Sequence, residues 1–166
     1  ALARGHRVTV FNRGRSGKGM FGPDVEELVG DRNGDLSALQ GRSFDAVIDE
    51  SASQSNAPEW VQRAAELLRD RTEQYLFVST RAVYLDTAAV PMTTAAPVLT
   101  RENSPVPAGR PLGYGHAKAY AEKQAHAAMP GRVTVVRPGL IIGPEDDTDR
   151  FTWWPVRIAR GGEMLA

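Results

Sequence analysis

The chain has 166 residues and a mass of 18.0 kDa, with 42% hydrophobic and 24% charged residues, which suits one globular domain with a sizeable core. Its 20 basic and 20 acidic side chains cancel, so no basic field exists to hold nucleic acid or an anionic membrane non-specifically. Cysteine is absent, which excludes disulfides and thiolate sites, and the apolar stretches fall far below the roughly 18 residues of a membrane-spanning helix.

The beginning of the chain predicts two strands separated by a loop. Residues 1–5 are typical of the last turn of a helix and its glycine stop, so we expect a piece that lacks the start of a longer protein. The β-branched run 7–11 predicts a buried strand. Residues 14–24, rich in glycine and basic groups, predict a surface loop, and a second short strand follows at 28–29.

The middle of the chain predicts a third strand and an amphipathic helix. A short helical segment at 36–39 leads to a strand at 45–49. We expect Asn56 to cap the helix, with Pro58 in its first turn and Glu59 three residues after the cap. The apolar positions that follow have helical spacing: Trp60, Val61, Ala64, Leu67 and Leu68.

The remaining elements continue the alternation of strand and helix. A strand is predicted at 75–79, a long proline-rich loop at 85–112 and an alanine-rich helix at 113–128. Two more strands are predicted at 132–136 and 140–142. Because most strands are continuous apolar runs, we expect a doubly wound α/β domain whose parallel sheet is covered on both faces. Such sheets bind ligands at the carboxyl ends of their strands.

Asn12 and Arg13 follow the first predicted strand, with Arg15 and Lys18 close behind. Dinucleotide-binding sheets often place an acid here for the adenosine ribose, whereas an arginine suits a 2′-phosphate. The pair therefore favours NADP over NAD. The alternative is an ordinary solvated basic loop.

A sharper pattern combines a hydroxyl after one strand with a tyrosine and a lysine opening a helix. Thr80 follows the strand at 75–79, and Tyr114 and Lys118 are four residues apart, which puts them on one helical face. A nearby ammonium favours the phenolate, so Tyr114 is a candidate acid/base. Taken alone, the pair could equally be a surface aromatic–lysine contact.

The order of these features resembles the extended short-chain dehydrogenase/reductase family, also called the NAD-dependent epimerase/dehydratase family. Residues 77–84 (FVSTRAVY) resemble the segment that holds its catalytic Ser/Thr, which falls on Thr80, and Tyr114 and Lys118 match its catalytic pair. The resemblance implies a Rossmann-type fold and an enzyme in which the tyrosine exchanges a proton with a carbonyl or hydroxyl oxygen.

The same resemblance implies which residues bind the cofactor. The segment GDR at 30–32 resembles one whose acid contacts adenine, and VIDESA at 47–52 resembles the strand and turn beneath the cofactor. VRPG at 136–139 is similar to the turn beside the nicotinamide. The implied cofactor-binding residues are Asn12, Arg13, Asp31, Arg32, Ser51, Lys118 and Pro138.

The chain also departs from the family pattern. The Gly-rich phosphate loop does not occur in it, so we expect residues 1–149 to form a Rossmann-type domain without that loop and residues 150–166 to begin the substrate-binding region. This piece alone should bind cofactor weakly and be inactive. Arg81 and Ala82 replace the acidic pair of the dehydratases, which argues against dehydration, and Glu50 replaces an apolar residue.

The sequence therefore predicts a cytoplasmic NAD(P)-dependent oxidoreductase or epimerase acting on a small molecule, such as a nucleotide sugar, without a metal. The alternative is a non-catalytic NAD(P)-sensing or RNA-binding relative on the same fold, although the neutral charge argues against nucleic acid. In related enzymes the helices corresponding to 57–70 and 113–128 pair across a homodimer interface. Both helices could equally be covered within one chain, so a homodimer is left open.

Overall fold

The computed structural model describes residues 1–15, 17, 19–50, 56–88, 90–103, 107, 110–144, 146 and 148–163. Its strands are β1 (Val8–Asn12), β2 (Val25–Val29), β3 (Phe44–Asp49), β4 (Thr72–Val78) and β5 (Val133–Val136). Its α-helices are α1 (Ala57–Leu68), α2 (Tyr114–Ala128) and α3 (Trp153–Ala159), and short 3-10 turns lie at Leu2–Arg4, Ser37–Leu39 and Arg81–Val83. From β3 to α3, strands and α-helices alternate as predicted, whereas no helix separates β1 from β2.

All strand pairs are parallel, and they form two groups. β1 pairs with β2, whereas β4 lies between β3 and β5, with Tyr75 opposite both Val47 and Val133. Within the described residues no strand of one group is hydrogen-bonded to a strand of the other. The parallel pairing, with α1 connecting β3 to β4 and α2 connecting β4 to β5, confirms the predicted α/β class.

The core lies between β3–β4–β5 and the pair of helices α1 and α2. Alternation along β4 points Tyr75 and Phe77 toward the helices, and both are fully buried. The alanines of α2 let it pack closely against α1 and this sheet face. The main buried cluster consists of Val61, Ala65, Tyr75, Phe77, Ala121, Ala125, Ala128 and Met129.

The opposite face of this three-stranded sheet differs from the expectation of cover on both sides. Ile48 is 65% exposed there, and Val136 is also exposed. The two-residue alternation of β3 turns Val47 and Asp49 toward the helices and Ile48 to the other face, where no described helix packs against β3. In the part of the chain that the structure describes, α1 and α2 cover one face.

Four local predictions need correction. β4 begins at Thr72 rather than at residue 75 and ends at Val78. β2 begins at Val25 rather than at residue 28, because five residues pair in parallel with β1. Residues 140–142 do not form a strand, since the ladder between β4 and β5 ends at Val78 and Val136. Asn56 precedes α1 without capping it through its side chain, and its Nδ2 instead donates to Asn33 Oδ1 at 3.5 Å.

None of the helices in the described ranges combines the length and the apolar character needed to cross a membrane.

Candidate active site

The three predicted catalytic residues line one cleft at the carboxyl ends of β4 and β5. The cleft has a volume of about 230 Å³, and Thr80, Tyr114 and Lys118 share its wall with Pro138. Its other lining residues are Glu50, Val78, Ser79, Gly139, Ile141 and Arg150. The fold therefore brings together a strand-end hydroxyl and two residues of a helix that begins 34 positions later.

Thr80 is held where β4 ends. Its backbone is extended, and its Oγ1 accepts a hydrogen bond from the backbone N–H of Ala82 at 3.2 Å, which caps the 3-10 turn Arg81–Val83. The backbone N–H of Arg81, the residue directly after Thr80, donates to the carbonyl oxygen of Pro138 at 2.9 Å. This bond ties the end of β4 to the turn after β5, so the hydroxyl and Pro138 have fixed relative positions.

Tyr114 and Lys118 lie in contrasting environments although they occupy one face of α2. Lys118 is only 5% exposed; its Nζ donates to the carbonyl oxygen of Val78 at 2.8 Å and lies 4.9 Å from the centre of the Phe77 ring. Burial lowers the pKa of Lys118, against the opposing charge of Asp49. Tyr114 is 45% exposed, so its phenol is accessible from the cleft.

Gly115 allows the first turn of α2 to approach the end of β4. A Cβ at this position would lie 2.2 Å from the carbonyl oxygen of Ala82 and 3.0 Å from Leu99 Cδ1, closer than a side chain tolerates. The glycine beside the tyrosine therefore lets Tyr114 sit next to Thr80.

A buried carboxylate, which the sequence reasoning missed, joins the elements around the cleft. Glu122 accepts hydrogen bonds from the Ser79 hydroxyl and from Arg137, whose Nε and Nη2 lie 3.0 and 2.6 Å from its oxygens. These bonds raise the pKa of Arg137, whose guanidinium also lies over the Tyr84 ring. The signal was present, because Glu122 follows Lys118 by four residues and so lies on the catalytic face of α2.

A second buried network lies at the end of β3. Asp49 forms a bidentate ion pair with Arg32, with Nη2 and Oδ2 2.6 Å apart, and accepts a hydrogen bond from the Tyr75 hydroxyl. Burial, with the charge of Asp49, raises the pKa of Tyr75 well above its ordinary value. Burial opposes the charge of Arg32, but its hydrogen bond to Asp49 raises the pKa of the guanidinium overall. The network connects the turn that follows β2 to the core.

Comparison with protein-family models gives a match over residues 55–165 to an NAD-binding family described as "Male sterility protein". The chain belongs to this family. The match confirms the predicted membership of the extended short-chain dehydrogenase/reductases. A comparison with curated protein sequences gives no match.

Solved structures share the fold. A UDP-galactose 4-epimerase is 24% identical, with a TM-score of 0.59 over 82% of this chain and 48% of that one. The enzyme WbmG of Bordetella bronchiseptica, solved with NAD and UDP, is 20% identical, with a TM-score of 0.60 over 86% of this chain and 50% of that one. Yeast methylglyoxal/isovaleraldehyde reductase Gre2, complexed with NADPH, is 18% identical, with a TM-score of 0.55 and coverages of 86% and 53%.

The likeness confirms the Rossmann-type fold that the sequence predicts. This chain spans about half the length of the structures it matches.

In this member of the NAD-binding family, four of the predicted cofactor residues lie at the carboxyl ends of β1 and β2. Asn12 Oδ1 accepts from the Gly14 N–H at 2.7 Å, and Arg13 is exposed. Asp31 Oδ1 accepts from the Asn33 N–H at 2.9 Å. The two Nη atoms of Arg32 bind Asp49, and its buried Nε has no hydrogen-bond partner among the described residues.

The other predicted cofactor positions divide between the cleft and the undescribed part of the chain. Lys118 and Pro138 lie in the cleft with Thr80 and Tyr114, where Glu50 and Arg150 also contribute charge. Ser51, together with Lys18 of the basic loop, lies outside the described residues. The roles of all these residues toward a cofactor stay predictions.

Proposed function

We propose that this chain carries the catalytic residues of an NAD(P)-dependent oxidoreductase or epimerase of the short-chain dehydrogenase type, which acts at a carbonyl or secondary alcohol of a small molecule. The observation that supports it most is the cleft that Thr80, Tyr114 and Lys118 line together. A surface aromatic–lysine contact would not bury the lysine, nor place a strand-end hydroxyl beside the tyrosine.

In the proposed reaction, each residue of the cleft has a different role. The Tyr114 hydroxyl gives a proton to a carbonyl oxygen in reduction and removes it from a hydroxyl in oxidation. The Thr80 hydroxyl donates a hydrogen bond to the same oxygen and orients it. Lys118 supplies a buried positive charge one helical turn from the phenol, which favours the phenolate. The nicotinamide of a bound cofactor supplies or accepts the hydride.

The residues at the carboxyl ends of the strands fit a dinucleotide. The Arg13 guanidinium forms no ion pair with any described carboxylate, so it is available to a phosphate. Asp31 offers carboxylate oxygens for adenine, and the buried Nε of Arg32 is a donor that an acceptor on the ligand would satisfy. Asn12 would contact the ribose, and Ser51 and Pro138 would line the cofactor.

The charge after β1 favours NADP over NAD. Gre2, among the matched structures, carries NADPH, whereas WbmG carries NAD. An exposed arginine in place of an acid supports the first choice here, because guanidinium binds a phosphate through paired hydrogen bonds. Replacement of Arg13 by alanine should therefore weaken NADPH binding and leave NADH binding nearly unchanged.

The test is turnover by the whole protein. We would follow NADPH and NADH oxidation over a panel of small carbonyl compounds, and NAD-dependent epimerisation of UDP-sugars in parallel. Turnover with one of these classes, with NADPH preferred in the reductions, is the expected result. No turnover with any of them, combined with a gel shift of structured RNA, would contradict the proposal and favour a binding protein.

A further inference from the structure

A second and larger cavity adjoins the catalytic cleft. Its volume is about 500 Å³, which is in the range of small-molecule sites. Gly139 lines both spaces, so they share a wall in the turn after β5. The remaining wall combines an aromatic ring and apolar side chains with hydroxyls and two arginines, among them Tyr84, Met92, Thr93, Thr94, Arg81 and Arg137.

The two arginines of this cavity differ in how their charge is balanced. Arg137 pairs with the buried carboxylate of Glu122. Arg81 forms no ion pair within the described ranges; its Nη2 donates to the backbone carbonyl of Thr87 at 2.7 Å, a neutral acceptor. The cavity wall therefore carries one positive charge that no described carboxylate offsets.

The backbone places this charge next to the reacting end of the cleft. Arg81 directly follows Thr80, and its N–H is bonded to the carbonyl oxygen of Pro138 at 2.9 Å. Its Cδ lies close to Gly139, where a Cβ would be 3.7 Å away. Gly139 therefore lies between the cleft that holds Thr80 and Tyr114 and the cavity that holds the Arg81 side chain.

We propose that this second cavity binds an anionic oxo group of the substrate, a carboxylate or a phosphate, through Arg81. The substrate class is then a small carbonyl compound that carries such a group a few bonds from the reacting carbon. This inference rests on the proposed function for the position of the carbonyl, while the anion site itself depends only on the cavity and its charge.

The experiment compares matched anionic and neutral probes bound to the whole protein. NMR titrations would use levulinate against methyl levulinate, and dihydroxyacetone phosphate against dihydroxyacetone, which separates a carboxylate from a phosphate. A charge-assisted hydrogen bond predicts that at least one anion binds roughly tenfold more tightly than its neutral partner. Shifts should centre on the residues of the second cavity.

Variants assign the preference to one side chain. We expect Arg81→Gln to abolish the preference for the anion and Arg81→Lys to keep part of it. The control is Arg7→Gln, which removes the same charge from an exposed arginine directly before β1, and it should keep the preference. Equal binding of both partners in each pair, an unchanged preference in Arg81→Gln, or an equal loss in Arg7→Gln would overturn the proposal.

The readout separates this inference from the proposed function. Binding is measured without turnover. The anion preference can therefore be confirmed even if the Tyr114→Phe variant keeps its full turnover. In that case only the catalytic role of the cleft fails. Conversely, if catalysis is as proposed but the anions bind no more tightly than their neutral partners, only the proposed role of the second cavity is contradicted.

Discussion

Tyr114 and Lys118 lie one helical turn apart on α2, and their surroundings suit different tasks. The lysine is buried against Phe77 and bonded to the backbone of Val78, whereas the tyrosine is almost half exposed in the cleft. A proton-transferring group must reach its substrate, while a charge that acts on a neighbour works best in a region of low dielectric. Each side chain is therefore positioned for the role proposed for it.

Glu122 is not among the residues that line the cleft, but it bonds to Ser79 and Arg137, the chain neighbours of Thr80 and Pro138. Glu122→Gln should lower the free energy of unfolding by about 2 kcal/mol, because the bonds from Arg137 lose their charge assistance. In the whole protein we expect kcat to fall with KM little changed, since Ser79 and Arg137 lie beside Thr80 and Pro138 in the chain.

The matched control for this change is Glu66→Gln, an exposed glutamate of α1 that accepts a hydrogen bond from Gln62. Chemical denaturation should show a change within about 0.5 kcal/mol. Equal stability losses in the two variants would contradict a special role for Glu122.

At the scale of elements, the site depends on how closely α2 approaches the end of β4. The contact is made by backbone, since Gly115 faces the carbonyl oxygen of Ala82. The two helices α1 and α2 also bury each other's apolar residues within one chain, including Val61 and Ala121. A homodimer through these helices stays a prediction.

The close approach can be tested with two glycines of the same region. Gly115→Ala should lower the free energy of unfolding by about 1–3 kcal/mol, although alanine is the better helix former, because the added Cβ forces the backbone to move. Gly113→Ala is the control, since nothing lies within 4 Å of a Cβ there, and its effect should stay below about 1 kcal/mol. If thermal or urea unfolding ranks Gly113→Ala as the more damaging change, the packing argument is wrong.

Much of the element pattern could be predicted because it depends on local periodicity. The helix at 113–128 and the pairing of Tyr114 with Lys118 follow from helical spacing alone. The ion pair of Arg32 with Asp49 joins residues 17 positions apart and could not be read from either segment. The run at 140–142 looks like a strand by composition, but a strand also needs a partner, and the ladder ends earlier.

At the scale of the whole molecule, side chains link the two strand groups, and no ladder joins them within the described residues. Arg32 after β2 pairs with Asp49 at the end of β3, and Arg63 of α1 donates to the carbonyl oxygens of Asn33 and Gly34. The predicted cofactor site extends across both groups, since Asn12 and Asp31 belong to the β1–β2 group and Pro138 follows β5 in the other. The relative position of the groups therefore matters to function as well as to stability.

The ion pair between Arg32 and Asp49 predicts that two arginines differ strongly in how much they contribute to the free energy of unfolding. Arg32→Ala should lower the free energy of unfolding by about 3 kcal/mol, because it removes the guanidinium that offsets the buried charge of Asp49. Arg42→Ala breaks an ion pair with Glu26 in which both side chains are exposed, so its cost should not exceed about 1 kcal/mol. Equal midpoints in urea for the two variants would show that the Arg32 link does not hold the groups together.

The most direct test of the central claim is the turnover of Tyr114→Phe in the whole protein, measured with the carbonyl or sugar substrate that the parent enzyme uses. Loss of the phenolic proton should reduce kcat by about 10²-fold or more, with cofactor binding unchanged. Tyr120→Phe, on the same helix and also exposed, is the control and should keep the parent rate. A Tyr114→Phe enzyme that turns over as fast as the parent would contradict the proposed role of the cleft.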